Sequence, residues 1–128
     1  MKRILLTLGF ILAFIAGSYA ENTAKMTFKE SAYDFGEFSE DQGKVSCEFV
    51  FTNDGNAPLL ITRAVASCGC TIPEYPEEPI APGESGTIKV TYNAKGRPGA
   101  FHKNIYIYAN TDPEKTTLII KGNVIPSK

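Results

Sequence analysis

From Val45 the chain alternates. Val45, Cys47, Phe49 and Phe51 fall on one side of an extended segment, and Ser46, Glu48, Val50 and Thr52 fall on the other. A period of two marks a half-buried strand, because successive side chains leave a pleated backbone on opposite faces. The period returns at Ile88, Val90 and Tyr92, interleaved with Thr87, Lys89 and Thr91. It returns again at Phe101, Ile105, Ile107 and Ala109, with His102, Asn104, Tyr106 and Tyr108 facing away. Leu118, Ile120 and Val124 close the pattern, with Gly122 in phase. Leu59 to Ala66 is a further β run, and Met26 and Phe28 form an opening strand ahead of Tyr33-Asp34-Phe35-Gly36.

Turn residues separate these runs. Asn53-Asp54-Gly55-Asn56, Pro82-Gly83, Arg97-Pro98-Gly99 and Asn110-Thr111-Asp112-Pro113 combine residues that tolerate positive φ with residues that fix it. About seven short strands punctuated in this way predict an all-β fold, an immunoglobulin-like antiparallel sandwich in which one face of each sheet enters a shared core. A small barrel has a similar pattern. One stretch breaks the alternation. Pro73, Pro76, Pro79 and Pro82 recur every third residue, the repeat of a polyproline II helix. The segment reads either as an edge crossing between the sheets, where proline blocks stray pairing, or as a strip that docks on an aromatic groove.

The first twenty residues have another character. Met1-Lys2-Arg3 precedes an apolar run from Ile4 to Ala16, and Ser18-Tyr19-Ala20 places small residues where a signal peptidase cuts. The run is shorter than the ~20 residues of a comfortable membrane span. The expectation is a signal peptide over residues 1–20, cleavage after Ala20, and one domain over 21–128 in the periplasm or outside the cell. No stable membrane insertion is expected after cleavage. Lys2 and Arg3 leave with the leader, so the remainder carries 14 acidic against 11 basic residues, a net charge of −3. That balance, with Lys and Arg scattered, excludes nucleic acid and anionic head groups as natural partners.

The order of Asp34-Phe35-Gly36, Phe51-Thr52-Asn53-Asp54-Gly55, Pro58-Leu59-Leu60-Ile61, Ser67-Cys68-Gly69-Cys70-Thr71, Ile80-Ala81-Pro82-Gly83-Glu84 and the late Gly122 resembles the bacterial domain of unknown function 1573. That family is similar to the immunoglobulin-like modules of ASPM, SPD-2 and hydin proteins. The resemblance covers about Thr27 to Val124. It implies a seven-stranded immunoglobulin-like sandwich, exported and without a settled activity, and by analogy a binding role. Cys47 lies outside the family pattern.

Candidate chemistry centres on the cysteines. Cys68 and Cys70 stand two apart around Gly69, which permits a tight bend, so they read as a small-ring disulfide, as packed thiols of a turn, or as a metal pair. Cys47 is in the inward phase of its strand and reads as a small buried side chain or as an alternative disulfide partner. A zinc set would need Cys47, Cys68, Cys70 and His102 together, but Cys47 points inward and His102 outward. His102 is the single histidine, and no serine or cysteine has the sequence context of an activated nucleophile. Neither a cofactor nor a catalytic residue is expected. Tyr106 and Tyr108, in the outward phase with His102, read as cross-strand pairs or as an interaction surface, as do Pro73, Pro76 and Pro79. The function expected is a non-enzymatic binding or scaffolding module with an unidentified protein partner. The alternative is a thiol redox or copper-binding role at Cys68 and Cys70.

Overall fold

The structure is a computed structural model that describes residues 23–127; the expected signal peptide and its cleavage site lie outside this range. Eight strands make two four-stranded sheets. The first contains β1 (Met26–Phe28), β3 (Lys44–Asn53), β6 (Ser85–Asn93) and β5 (Thr71–Glu74), in the order β1-β3-β6-β5. The second contains β2 (Ala32–Ser39), β8 (Lys115–Ile125), β7 (Gly99–Ala109) and β4 (Ile61–Ala66), in the order β2-β8-β7-β4. No α-helix occurs among the described residues, and none of their helical turns is long and apolar enough to cross a membrane.

The alternating segments bury the faces that the sequence assigns to the core. Phe49 and Phe51 of β3 and Ile88, Val90 and Tyr92 of β6 meet Phe101, Ile105 and Ile107 of β7 and Leu118, Ile120 and Val124 of β8, all buried. Each large apolar side chain removed from water contributes about 1.5–3 kcal/mol, so these rows stabilise the sandwich more than any loop contact. Tyr92 and Phe101 join the sheets directly, with stacked rings 4.0 Å apart at the centroids. Phe35 and Phe38 of β2 pack against the same Phe101 ring at 6.2 Å each.

Two features differ from the sequence reading. First, one pair is parallel: β2 runs alongside β8 with Tyr33 opposite Ile120 and Phe38 opposite Val124. β1 and β2 form a single edge that changes sheets between Phe28 and Ala32. Its first part pairs antiparallel with β3, so its continuation meets β8 in the parallel sense. One extra residue between Asp34 and Glu37 makes a bulge in β2. Gly36 supplies the positive φ of 70°, and its N–H donates to Asp34 Oδ1 at 2.8 Å. Second, Thr71–Glu74 is an eighth strand, and the four prolines do not share one continuous extended segment. Pro73 lies in β5 opposite Val90, Pro76 and Pro79 lie in the following connection, and Pro82 opens the turn at Gly83. β5 pairs on one side only, with β6, which is where a strand tolerates proline. The crossing between sheets occurs one element earlier, at Cys68-Gly69-Cys70.

The Asn53-Asp54-Gly55-Asn56 turn does more than reverse the chain. Asn53 is fully buried and makes four hydrogen bonds. Its Oδ1 accepts from Lys25 N at 3.2 Å and Gly55 N at 3.0 Å, and its Nδ2 donates to Ala57 O at 2.8 Å and Ile80 O at 2.9 Å. One side chain thus ties the start of the first sheet to the turn and to the connection before β6. Gly55 permits the approach, since a Cβ there would collide with the Thr23 carbonyl oxygen and stand 2.8 Å from Lys25 N.

Candidate interaction surface

The outer face of the second sheet gathers the outward residues of β7. His102, Asn104, Tyr106 and Tyr108 run along it, flanked by Arg63 and Val65 of β4 and by Lys115 and Thr117 of β8. Register sets the neighbours: Arg63 and Lys115 stand opposite Tyr108, and Val65 and Thr117 stand opposite Tyr106. The Arg63 guanidinium lies 3.9 Å from the centre of the Tyr108 ring. The Lys115 ammonium reaches diagonally to 4.8 Å from the Tyr106 ring. Both are within the range of cation–π attraction, about 0.5–1 kcal/mol at an exposed site. Both tyrosines are half-buried, and Val65 is 37% exposed. Asn104 Nδ2 donates to the Tyr106 hydroxyl at 3.5 Å, while Asn104 Oδ1 is buried without a partner among the described residues.

His102 is exposed at the other end of the same face, beside an open depression of about 400 Å³. Asp34, Glu37, Lys121 and Asn123 also line it, and the bulge in β2 forms its rim. The sequence separates these residues by up to ninety positions, so the depression was not legible from motifs. Arg63 and Lys115 were missed for a related reason: only the strand register puts them over the rings. Pro73 lies in β5 at the edge of the first sheet, and Pro76 and Pro79 lie in the connection after it, which is held beside β4 by Tyr75 OH donating to Thr62 O at 3.4 Å and by the Leu59–Ile80 bridge.

The cysteines are elsewhere. Cys68 and Cys70 form a disulfide across Gly69, with Cα atoms 5.3 Å apart. Cys70 is buried, its carbonyl accepts from Asn93 N at 2.8 Å, and its N–H donates to Cys68 Sγ at 3.3 Å. The bond therefore clasps the turn that carries the chain from β4 to β5. Cys47 is not its partner. Cys47 pairs with Val90 on β6, and β6 separates it from β5, so two strand spacings, roughly 10 Å, lie between. A disulfide needs Cα atoms within ~7 Å. Nor do Cys47, Cys68, Cys70 and His102 converge: among the described residues, no three His, Cys, Asp or Glu side chains gather as a metal site.

Cys47 is a free, buried thiol, and burial first, then the neighbouring Glu48 charge, push its pKa from 9.0 up to about 12. The thiol is thus held in its neutral form. Its contribution to stability is fully present below pH 9 and is lost as the pH rises toward 12, because the unfolded chain then gains by ionising first. A thiol-reactive chromophore at pH 8 should find no reactive group in the folded protein. Reductant should expose the Cys68 and Cys70 pair, and denaturant should be needed for Cys47. Rapid labelling of Cys47 in the native protein would contradict its placement.

The family model described as protein of unknown function (DUF1573) matches residues 26–124. The chain belongs to the DUF1573 family. No curated protein matches the sequence. Among solved structures, this DUF1573 domain is similar to a protein of unknown function from Porphyromonas gingivalis W83, with TM-score 0.70 and 18% identity over 84% of this chain and 50% of that one. It therefore spans half the length of that relative. It is also similar to the ASH/PapD-like domain 7 of human CEP192, with TM-score 0.67 and 7% identity over 88% of this chain and 93% of that domain. The E. coli chaperone DraB aligns with TM-score 0.52 and 11% identity over 80% of this chain and 56% of the chaperone. At these identities the likeness establishes the fold alone, an immunoglobulin-like sandwich.

Proposed function

We propose that this DUF1573 domain is an exported, non-enzymatic binding module that holds a protein partner on the outer face of β2-β8-β7-β4. The observation that carries the reading is the pair Tyr106 and Tyr108, half-exposed on an inner strand of the sheet and capped by Lys115 and Arg63. Tyrosine and arginine supply much of the energy at protein interfaces, because they offer large contact area together with hydrogen bonds. The depression beside His102 adds polar anchoring points at the other end of this face. It offers carboxylates, an ammonium, an imidazole and an amide, groups that pair charge and hydrogen-bond with a partner surface. Likeness to a chaperone and to an ASH/PapD-like domain supports a binding role by analogy of fold. Export as one domain, after cleavage behind Ala20, rests on the leader and agrees with a disulfide at Cys68 and Cys70.

A photoreactive phenylalanine analogue at position 106, in the full chain in its native cells, should give a discrete heavier adduct on illumination. The same analogue at Thr87, on the outer face of the other sheet, should give none. Adducts of equal yield at both positions, or none at 106, would refute the assignment of this face.

A further inference from the structure

β3 has one edge that this chain fills only in part. Antiparallel pairing makes alternate residues aim both backbone groups to the same side. Asn53 exchanges hydrogen bonds with the β6 side, accepting from Gly83 N at 2.8 Å and donating to Glu84 O at 2.9 Å. Gly43 O likewise accepts from Ala94 N at 2.7 Å, so odd-numbered residues of β3 face β6. Even-numbered residues face the other way, as Val50 O does in accepting from Lys29 N at 3.1 Å. β1 pairs with this edge from Phe51 to Asn53, and Lys29 N extends the cover to Val50 before the chain leaves for the other sheet. Lys44, Ser46 and Glu48 therefore point three N–H and three C=O groups at an edge where no strand among the described residues pairs.

The side chains on that edge are self-complementary. Lys44, Ser46 and Glu48 are all exposed on the outer face of the first sheet. If a second copy pairs antiparallel about Ser46, each Lys44 stands opposite the other copy's Glu48. Both charge pairs are then satisfied, and the three facing residues on each side exchange six backbone hydrogen bonds. An uncovered edge is ordinarily protected against such pairing by unmatched charge, but here the charge pattern matches its own reverse.

We infer that the Lys44–Glu48 edge of β3 is the contact of a two-fold symmetric, weak dimer of this chain. The axis runs perpendicular to the sheet, so the first sheets of two copies become one continuous eight-stranded sheet. The second sheets then lie on one common side, and the Tyr106 and Tyr108 faces look in the same direction. Such a pair presents two partner faces at once, which raises avidity without new contacts.

The test uses the protein lacking its leader, followed by sedimentation equilibrium from about 10 μM to 1 mM, the range for a contact held mainly by one edge. The weight-average mass should rise toward twice the monomer. Amide exchange at Ser46 and Glu48 should slow several-fold with concentration, while that at Thr27 should not change. Lys44→Glu places like charges opposite at two positions and should weaken association at least tenfold. The double exchange Lys44→Glu with Glu48→Lys should restore it. A monomer throughout the range, a dimer indifferent to Lys44→Glu, or failure of the double exchange to rescue would each overturn the proposal. Failure would leave the Tyr106 face untouched, because the crosslink at position 106 reads the other sheet.

Discussion

Asn53→Ala should destabilise the domain by about 4 kcal/mol in urea unfolding, since it removes four part-buried hydrogen bonds at ~1 kcal/mol each. The Lys25 and Gly55 N–H groups lose their acceptor, and the Ala57 and Ile80 carbonyls lose a donor. Asn53 has no solvent exposure, so bulk water does not reach the groups that the amide leaves behind. The effect should also be local: amide exchange in β1 should accelerate before the core melts, because Asn53 anchors the backbone at Lys25, next to that strand. A loss below about 1 kcal/mol would mean that the amide is dispensable and that the turn is held by its backbone alone.

Phe101→Ala should cost a further class of interaction, about 3–5 kcal/mol, the range for removing a buried phenylalanine. The ring has three jobs. It stacks on Tyr92 across the sandwich, it carries Phe35 and Phe38 of the edge strand, and it lies over Gly122, where a Cβ would come within 2.9 Å of it. Removing it opens a void that these neighbours cannot close without moving a sheet. β2, which pairs with β8 alone, should lose protection most. Thermal and urea unfolding of the variant, with exchange at Tyr33 and Phe38, checks both the size and the place of the loss. An unchanged midpoint would contradict the packing described. Double substitution with Tyr92→Ala should be less than additive, since the two rings share one contact.

Strands β3, β6, β7 and β8 were legible because each buries one face over at least nine residues, so that burial and sequence period coincide. β5 was hidden because it has four residues, one of them Pro73, in a stretch whose proline repeat suggested a different helix. The parallel pairing of β2 could not be read, since alternation reports which face is buried and not which strand lies alongside. Asn53 looked like one more turn residue; its burial depends on Ile80, twenty-seven positions away. The outward phase of His102, Tyr106 and Tyr108 followed from the period of β7, whereas Arg63 and Lys115 joined them only through register. Three cysteines admit several pairings in sequence, and β6 standing between Cys47 and β5 removes the long ones.

Side-chain oxidation by short pulses of hydroxyl radical, read at each tyrosine by mass spectrometry, separates a partner face from a merely well-packed one. Compared with the purified protein, Tyr106 and Tyr108 should be protected several-fold in intact cells, while Tyr33, 41% exposed at the sheet edge, should oxidise equally in both. Equal oxidation of Tyr106 and Tyr108 in cells and in solution would show that nothing covers this face, and the binding role assigned to it would fall.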